Sequence, residues 1–318
     1  SHHDLSRESG MEAHQQAYVV WSITDGKPGH LQQIKGLTKA LAKELPILEI
    51  DLRAVSTAQA LMQLAKGAFL PGQGLPAPDL IVGAGHATHL NLLAAKRAYG
   101  GKTVVLMKPS LPRRLFDLCL IPQHDGIAPA RNVVLTHGAL NTMQQQKAGD
   151  PGCGLILLGG VSSHYVWQDT EILLSVKQLA AATPNVNWTL TTSPRTPASL
   201  LEKLDGLSLN NVSFFPFKQT THQWLTEVLG RAGQVWVTPD SVSMVYEALT
   251  SGASVGVFDL KKQRSSRVVR GLERLVESGW VTSFQNWRKE KAMRRQIREL
   301  NEAARCAKWI KQFWYPNH

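Results

Sequence analysis

Apolar residues in this chain fall into short unbroken runs, separated by longer stretches in which they recur every three or four positions. The runs at 17–23 (AYVVWSI), 47–52 (ILEIDL), 79–85 (DLIVGAG), 102–107 (KTVVLM), 117–122 (DLCLIP) and 132–138 (NVVLTHG) are dominated by Val, Ile and Leu. Their length suits strands, and their lack of polar alternation predicts burial on both faces, the habit of parallel sheets. Between them, residues 30–45, 58–66 and 88–99 carry helical spacing. Strand and helix in alternation predict a parallel sheet covered by helices.

A polar stretch at 141–152 (NTMQQQKAGDPG) interrupts the pattern and predicts a linker. Alternation then resumes, with strands at 155–160, 187–193, 212–217 and 234–240 and helices near 170–182 and 198–204. With no short internal repeat, the chain reads as two α/β domains in tandem, 11–145 and 146–287, and not as a solenoid. From 288 to 314, Met293, Ile297, Leu300, Ala304 and Ala307 follow one another at steps of four and three. That spacing predicts one amphipathic helix, within a last segment 288–318, with an outer face rich in Arg and Lys. Such a helix either packs on the protein body or lies on a membrane surface, and Trp309, Phe313, Trp314 and Tyr315 suit both.

A length of 318 residues accommodates two domains with a core each. Hydrophobic residues at 43% and charged residues at 19% match a soluble globular protein. No apolar run reaches the roughly 18–20 residues of a membrane helix, and no secretory signal pattern is present. Residues 1–10 (SHHDLSRESG) read as a truncated histidine tag and vector scar before a native start at Met11, which removes His2 and His3 as metal ligands. Cys119, Cys153 and Cys306 are odd in number and far apart, so they form neither a disulfide framework nor a zinc site, and a reducing cytoplasm fits. The net charge of +11 is concentrated late, with fifteen Lys and Arg against five Glu between 261 and 311. That excess suits nucleic acid, an anionic membrane face, a phosphorylated substrate or simply a solvated surface.

Ligands of parallel α/β sheets bind at the carboxyl ends of strands, so the turns after the predicted strands are the candidates. After the first comes TDGKPGH at 24–30, where Gly26 and Gly29 permit tight turns beside Asp25 and Pro28 stiffens the loop, leaving Lys27 and His30 to face a substrate. It is neither the dinucleotide fingerprint nor a Walker loop, and a turn kept for geometry alone has the same composition. In GAGH at 83–86, His86 is either a base or a hydrogen-bonding group at a strand end. LGGVSSH at 158–164 offers Gly159 and Gly160 for close approach of a phosphate and Ser162 and Ser163 as donors. The nearby TTSPRTP at 191–197 adds Arg195, whose forked guanidinium suits a pyrophosphate. In VTPDSVSMVYEA at 237–248, Asp240 lies in the turn and Ser241 or Ser243 presents donors at a helix start, where the dipole favours anions. Glu247, further along that helix, can accept hydrogen bonds from ribose hydroxyls; an ordinary capped helix with a surface glutamate is the alternative. No HExxH or paired CxxC indicates a metal, and no GxSxG an esterase nucleophile.

Taken in order, DGKPGH at 25–30, TSPRTP at 192–197 and TPDSVSMVYEA at 238–248 resemble the bacterial relatives of the plant mitochondrial-fission protein of the elongated-mitochondria family. Pro194 stands where that pattern often carries another arginine. The resemblance, which covers most of the chain after Met11, implies a GT-B-like glycosyltransferase fold. Two Rossmann-like domains would face a cleft, the second holding a nucleotide sugar, and the last helix would return to the first. It further implies that Gly159, Gly160 and Arg195 hold diphosphate beside Ser162, that Asp240, Ser241 and Ser243 line the donor site, and that Glu247 binds ribose. The loops with Asp25, Gly26 and Gly29 would face the acceptor, with Lys27, His30 and His86 as catalytic groups. The nucleotide sugar is then the donor substrate, with no cofactor and no metal. The acceptor would be an envelope lipid or lipopolysaccharide precursor on the cytoplasmic side of the inner membrane. An anionic membrane surface would meet the basic C-terminal region, and nucleic acid is not an expected partner. A non-catalytic scaffold on the same fold, binding a membrane or protein partner, is the alternative.

Overall fold

The structure, a computed structural model, describes residues 17–123, 127–143, 149–293 and 300–318. The expected tag remnant at 1–10 and the middle of the expected linker lie outside them. The chain divides into a first unit, ending at Thr142 but including Glu302–His318, and a second, Met143–Asn301.

In the first unit, β1 (Tyr18–Thr24), β2 (Ile47–Arg53), β3 (Leu80–Ala84), β4 (Lys102–Leu106), β5 (Leu118–Pro122) and β6 (Val133–Thr136) form a parallel sheet ordered β2-β1-β3-β4-β5-β6. Helices α1 (Pro28–Glu44), α2 (Thr57–Lys66) and α3 (His89–Tyr99) run between the strands. Successive strand residues point to opposite faces. Val20, Leu80, Val82 and Val104 pack with Ile34, Leu37 and Leu41 of α1, while Trp21, Ile23, Ile81 and Val105 pack with Leu92, Ala94 and Ala95 of α3. Both faces of β1, β3, β4 and β5 are covered, which is why these strands lack polar alternation; edge strand β2, expected to be buried on both faces, instead leaves Leu48 and Asp51 exposed. Each buried aliphatic side chain contributes about 1.5–3 kcal/mol.

In the second unit, β7 (Asp150–Leu157), β8 (Asn187–Thr191), β9 (Val212–Phe215), β10 (Ala232–Val237), β11 (Ser254–Val257) and β12 (Thr282–Ser283) form a parallel sheet ordered β12-β11-β10-β7-β8-β9. Its helices are α4 (Asp169–Ala182), α5 (Ala198–Asp205), α6 (His222–Arg231), α7 (Val242–Ser251), α8 (Arg267–Glu277) and α9 (Phe284–Glu290). Trp236 on β10 centres an aromatic cluster, with Phe258, Phe284 and Trp287 at 5.4, 5.6 and 5.9 Å between ring centroids. On α8, Val269, Leu272 and Leu275 are buried, and Arg267, Arg270 and Arg274 are exposed. Part of the late basic excess is therefore the outer face of this helix.

The apolar spacing at 288–314 predicts one helix, and the structure corrects this. α9 ends at Lys291, which takes a left-handed backbone (φ 55°) and closes the helix through its N–H on the Trp287 carbonyl at 2.7 Å. A separate helix, α10 (Glu302–Trp314), follows; residues 294–299, with Ile297, lie outside the described residues. The two ends belong to different cores. Phe284 and Trp287 hold α9 to the second unit, while Cys306, Ala307 and Ile310 of α10 pack against α1 in the first. The return to the first unit thus begins at Glu302 and not at 288. Glu302 is buried and accepts from His137 N at 2.8 Å and from Arg305 at 3.0 and 2.7 Å. Burial opposes its charge, but Arg305 and the His137 N–H outweigh that and hold its pKa below the ordinary glutamate value.

Candidate functional site

In each sheet the chain builds outward on one side of a strand and later returns to the other side. β1 lies between β2 and β3, and β7 between β8 and β10. Loops leaving the carboxyl ends of strands at such a reversal diverge and open a crevice, the usual ligand position in α/β sheets. The loops singled out by sequence sit at these two reversals.

In the second unit, the loops after β7, β8 and β10 are tied together. Gly159 N–H donates to Thr238 Oγ1 at 2.8 Å, and Gly160 N–H donates to Asp240 Oδ2 at 2.9 Å. Thr196 Oγ1 donates to the Gly159 carbonyl. Arg195 Nη2 lies 3.1 Å from the same Asp240 oxygen and 3.3 Å from Ser241 Oγ. The Asp240 side chain is 0% exposed and the Arg195 side chain 45%, so the carboxylate forms the floor and the guanidinium reaches the surface. Asp240 Oδ1 is buried without a hydrogen-bond partner among the described residues, a cost that the three-loop junction outweighs.

These contacts change the expected role of the two glycines. A Cβ on Gly159 would collide with Asp240 and Ser241, and one on Gly160 with the Arg195 carbonyl. The close approach is between protein loops, and both N–H groups are already used within them, so neither is free to donate to a phosphate. Asp240 likewise positions Arg195 from below instead of lining an open pocket. Ser162 accepts from His164 N at 3.3 Å within its own loop and stays outside the junction.

Helix α7 starts beside this junction. Its N-cap, Ser241, makes no capping bond to the first turn because its hydroxyl faces Arg195 and Asp240. Orphan N–H groups and the positive end of the dipole are therefore left for an anion. Exposed Ser243 and half-buried Glu247 stand one turn apart on one face of α7. Glu247 has no hydrogen-bonding or ionic partner among the described residues, and the protein packed round its carboxyl pushes the pKa up to about 7.

In the first unit, Pro28 occupies the first turn of α1, where its missing N–H costs nothing. Gly29 is thus helical, with open space around it, and Gly26 (φ 83°) alone makes the turn, beneath the Arg53 guanidinium. The helix start brings His30 back onto Asp25, with Nδ1 and Oδ2 2.7 Å apart. A carboxylate only accepts, so Nδ1 carries the hydrogen, and in the neutral form of the ring the lone pair lies on Nε2. Burial opposes the charge on Asp25, but the Lys27 N–H and His30 outweigh it and hold the carboxyl below its ordinary pKa. Gly85 (φ 97°) closes over this pair; a Cβ there would meet both Asp25 and His30. The Lys27 side chain is exposed, its backbone N–H bonding Asp25 at 3.0 Å. His86 instead joins Ser110 at 2.6 Å, which also meets the buried His89 at 3.1 Å. Burial first, and then His86, lowers the His89 pKa to about 4 and keeps that ring neutral.

Residues 28–314 match the family described as mitochondrial fission ELM1. The chain belongs to that family. An uncharacterized protein of Rickettsia prowazekii (strain Madrid E) is 22% identical over an alignment of 346 residues, which spans 92% of this chain and 97% of the relative. Among solved structures, a Listeria monocytogenes candidate UDP-N-acetylglucosamine 2-epimerase is similar with a TM-score of 0.59 at 13% identity, covering 95% of this chain and 98% of its own. Acinetobacter baumannii MurG is similar with a TM-score of 0.51 at 14% identity, covering 93% and 100%. This ELM1-family chain therefore has the GT-B-like fold shared by glycosyltransferases and nucleotide-sugar epimerases. No helix among the described residues is long and apolar enough to cross a membrane.

Sequence inspection passed over Thr196 and Thr238, the hydroxyls that lock the donor-side loops, and Ser110 and His89 behind His86. Each follows a predicted strand or begins a helix, but nothing local marks it as a partner of residues 21 to 79 positions away in other loops.

Proposed function

We propose that the protein is a nucleotide-sugar-dependent glycosyltransferase that acts on an envelope lipid or lipopolysaccharide-type acceptor at the cytoplasmic membrane face. The observation that carries this is Glu247, an unpartnered, enclosed carboxyl one turn into an uncapped helix whose start adjoins a half-exposed arginine. Ribose hydroxyls supply the donors Glu247 lacks. The diphosphate meets Arg195, Ser243 and the first turn of α7, so that charge developing on the leaving group is stabilised by groups already in place. His30, oriented by Asp25, is the base that takes the acceptor proton on Nε2, with His86 and Lys27 on the acceptor side. The donor is a substrate, and the groups named here supply the chemistry without a cofactor.

Thermal-shift measurements across UDP-, GDP-, ADP- and CMP-sugars test the donor site, because a ligand of the folded state raises apparent stability. One class is expected to stabilise the protein, and Glu247→Ala and Arg195→Ala to reduce the shift. No shift with any donor, or shifts untouched by both variants, sinks the proposal. Conversion of the bound nucleotide sugar without an acceptor would instead assign epimerisation, and binding without any conversion would favour the scaffold role.

A further inference from the structure

At the amino ends of β5 and β6, the edge of the first sheet opposite its crevice, the end of α10 helps to enclose a hollow of about 750 Å³. Arg114, Arg131, Trp309, Phe313 and Trp314 line it. Neither guanidinium has an ionic or hydrogen-bonding partner among the described residues. The carboxylate in the same wall, Asp117, is already used by Lys96 Nζ at 2.7 Å and Thr103 N at 2.8 Å. Asn132 is spent on the carbonyls of Arg113 and Phe116. The uncompensated charge in the hollow is therefore positive.

Its apolar part faces water. Phe313 is 59% exposed and Leu115, beside Arg114, 42%. Trp309 packs against Phe313 and Trp314 at 4.8 and 5.8 Å between rings, and Lys102 Nζ sits 4.8 Å over the Trp314 ring. Indoles with a wet edge, an exposed phenyl ring and unpaired guanidinium forks are the components of a membrane–water interface, where rings sit at headgroup level and arginines grip phosphate. The carboxyl end of α10 also points here, and its carbonyls disfavour an anion, so attraction depends on Arg114 and Arg131.

We infer that this hollow docks the protein on a membrane through the phosphates of anionic phospholipids. The inference rests on the envelope-acceptor reading only for the kind of partner; it does not need the donor site. Single-stranded nucleic acid also offers phosphate and stacking bases, but the exposed Phe313 ring beside the two indoles is suited to a lipid surface.

Flotation of the full chain with phosphatidylcholine vesicles, with and without phosphatidylglycerol, is the test. The chain should float with the anionic vesicles and lose binding as salt rises. Arg114→Ala/Arg131→Ala should lower partitioning about thirty-fold, and Phe313→Ser several-fold. Arg270→Ala/Arg274→Ala on the outer face of α8 should leave it unchanged. The inference is overturned if the Arg114/Arg131 variant floats like the parent, if only the α8 variant loses binding, if the parent does not float, or if a fluorescent oligonucleotide binds and vesicles do not. Donor-induced thermal shift, read on the same proteins, should be the same in the Arg114/Arg131 variant as in the parent. Intact flotation without any donor shift would break the donor proposal and leave the docking surface standing.

Discussion

The crevice of the first unit gathers hydrogen-bonded titratable groups, Asp25, His30 and His86, whereas that of the second gathers Arg195, Asp240 and two threonines in a junction whose charges are already paired. Both stand at the same kind of chain reversal. The reversal supplies the place, and the loops decide the chemistry. In the first unit a glycine with positive φ lets the backbone close over an Asp–His pair; in the second, glycines let three loops touch. Glu247 departs from this division, since it is a carboxyl held without a partner on the side of fixed charges.

If proton transfer and anion binding are divided in this way, substitutions should separate them. The largest expected effect is on turnover: His30→Ala should lower kcat about 10²–10⁴-fold with donor affinity unchanged, measured by transfer assay and calorimetry. Next, Arg195→Ala should weaken donor binding about 10–100-fold, with Arg195→Lys recovering only part because one ammonium replaces a fork. A loss of turnover in Arg195→Ala at unchanged affinity would erase the contrast between the units. Gly160→Ala should cost about 2–4 kcal/mol in denaturant unfolding, since its methyl group would collide with the Arg195 carbonyl. Thr238→Val should cost less, about 1–2 kcal/mol, by leaving the buried Gly159 N–H unpaired.

The smallest effect sharpens the exception. Glu247 has a folded pKa of about 7 against an ordinary 4.5, so the folded state holds the proton more tightly. The associated stabilisation is complete below the ordinary value and is lost as pH rises through about 7. Glu247→Gln should therefore raise Tm by about 2–6 °C at roughly pH 8 and change it little at roughly pH 4, while weakening donor binding at both. Equal Tm values for parent and variant at the higher pH would show that the carboxyl is better solvated than its surroundings suggest.

The strands of the first sheet and β7 to β10 of the second were legible in the sequence because burial on two faces leaves a run such as DLIVGAG with little choice but apolar residues. Helix α8 was hidden by its arginines, which crowd the periodicity of Val269, Leu272 and Leu275, and β11 by its brevity and by Gly256, which makes room for Trp236. The spacing from Met293 to Ala307 joined residues of two different cores, because periodicity does not report which surface a helix covers. At the sites, the positions of Asp25, His30, Arg195 and Glu247 could be marked as strand-end chemistry. Their partners could not, since which loops meet is set by strand order. A glycine announces close approach, but Gly159 and Gly160 show that the approaching group can be the protein itself.

The docking of α10 on α1 also has a temporal side. Cys306, Ala307 and Ile310 complete the core around Ile34, Leu37 and Leu41, yet all of Met143–Asn301 is synthesised in between. At bacterial and eukaryotic elongation rates that interval is roughly 8–30 s, during which the nascent first unit lacks its last helix while the second can fold behind it. Chains stalled just before residue 302 should therefore leave the first unit open to protease, and chains in which Glu302–Trp314 has cleared the ribosome should close it. Strands β1 to β6, though made before the second unit, would reach their native state after it.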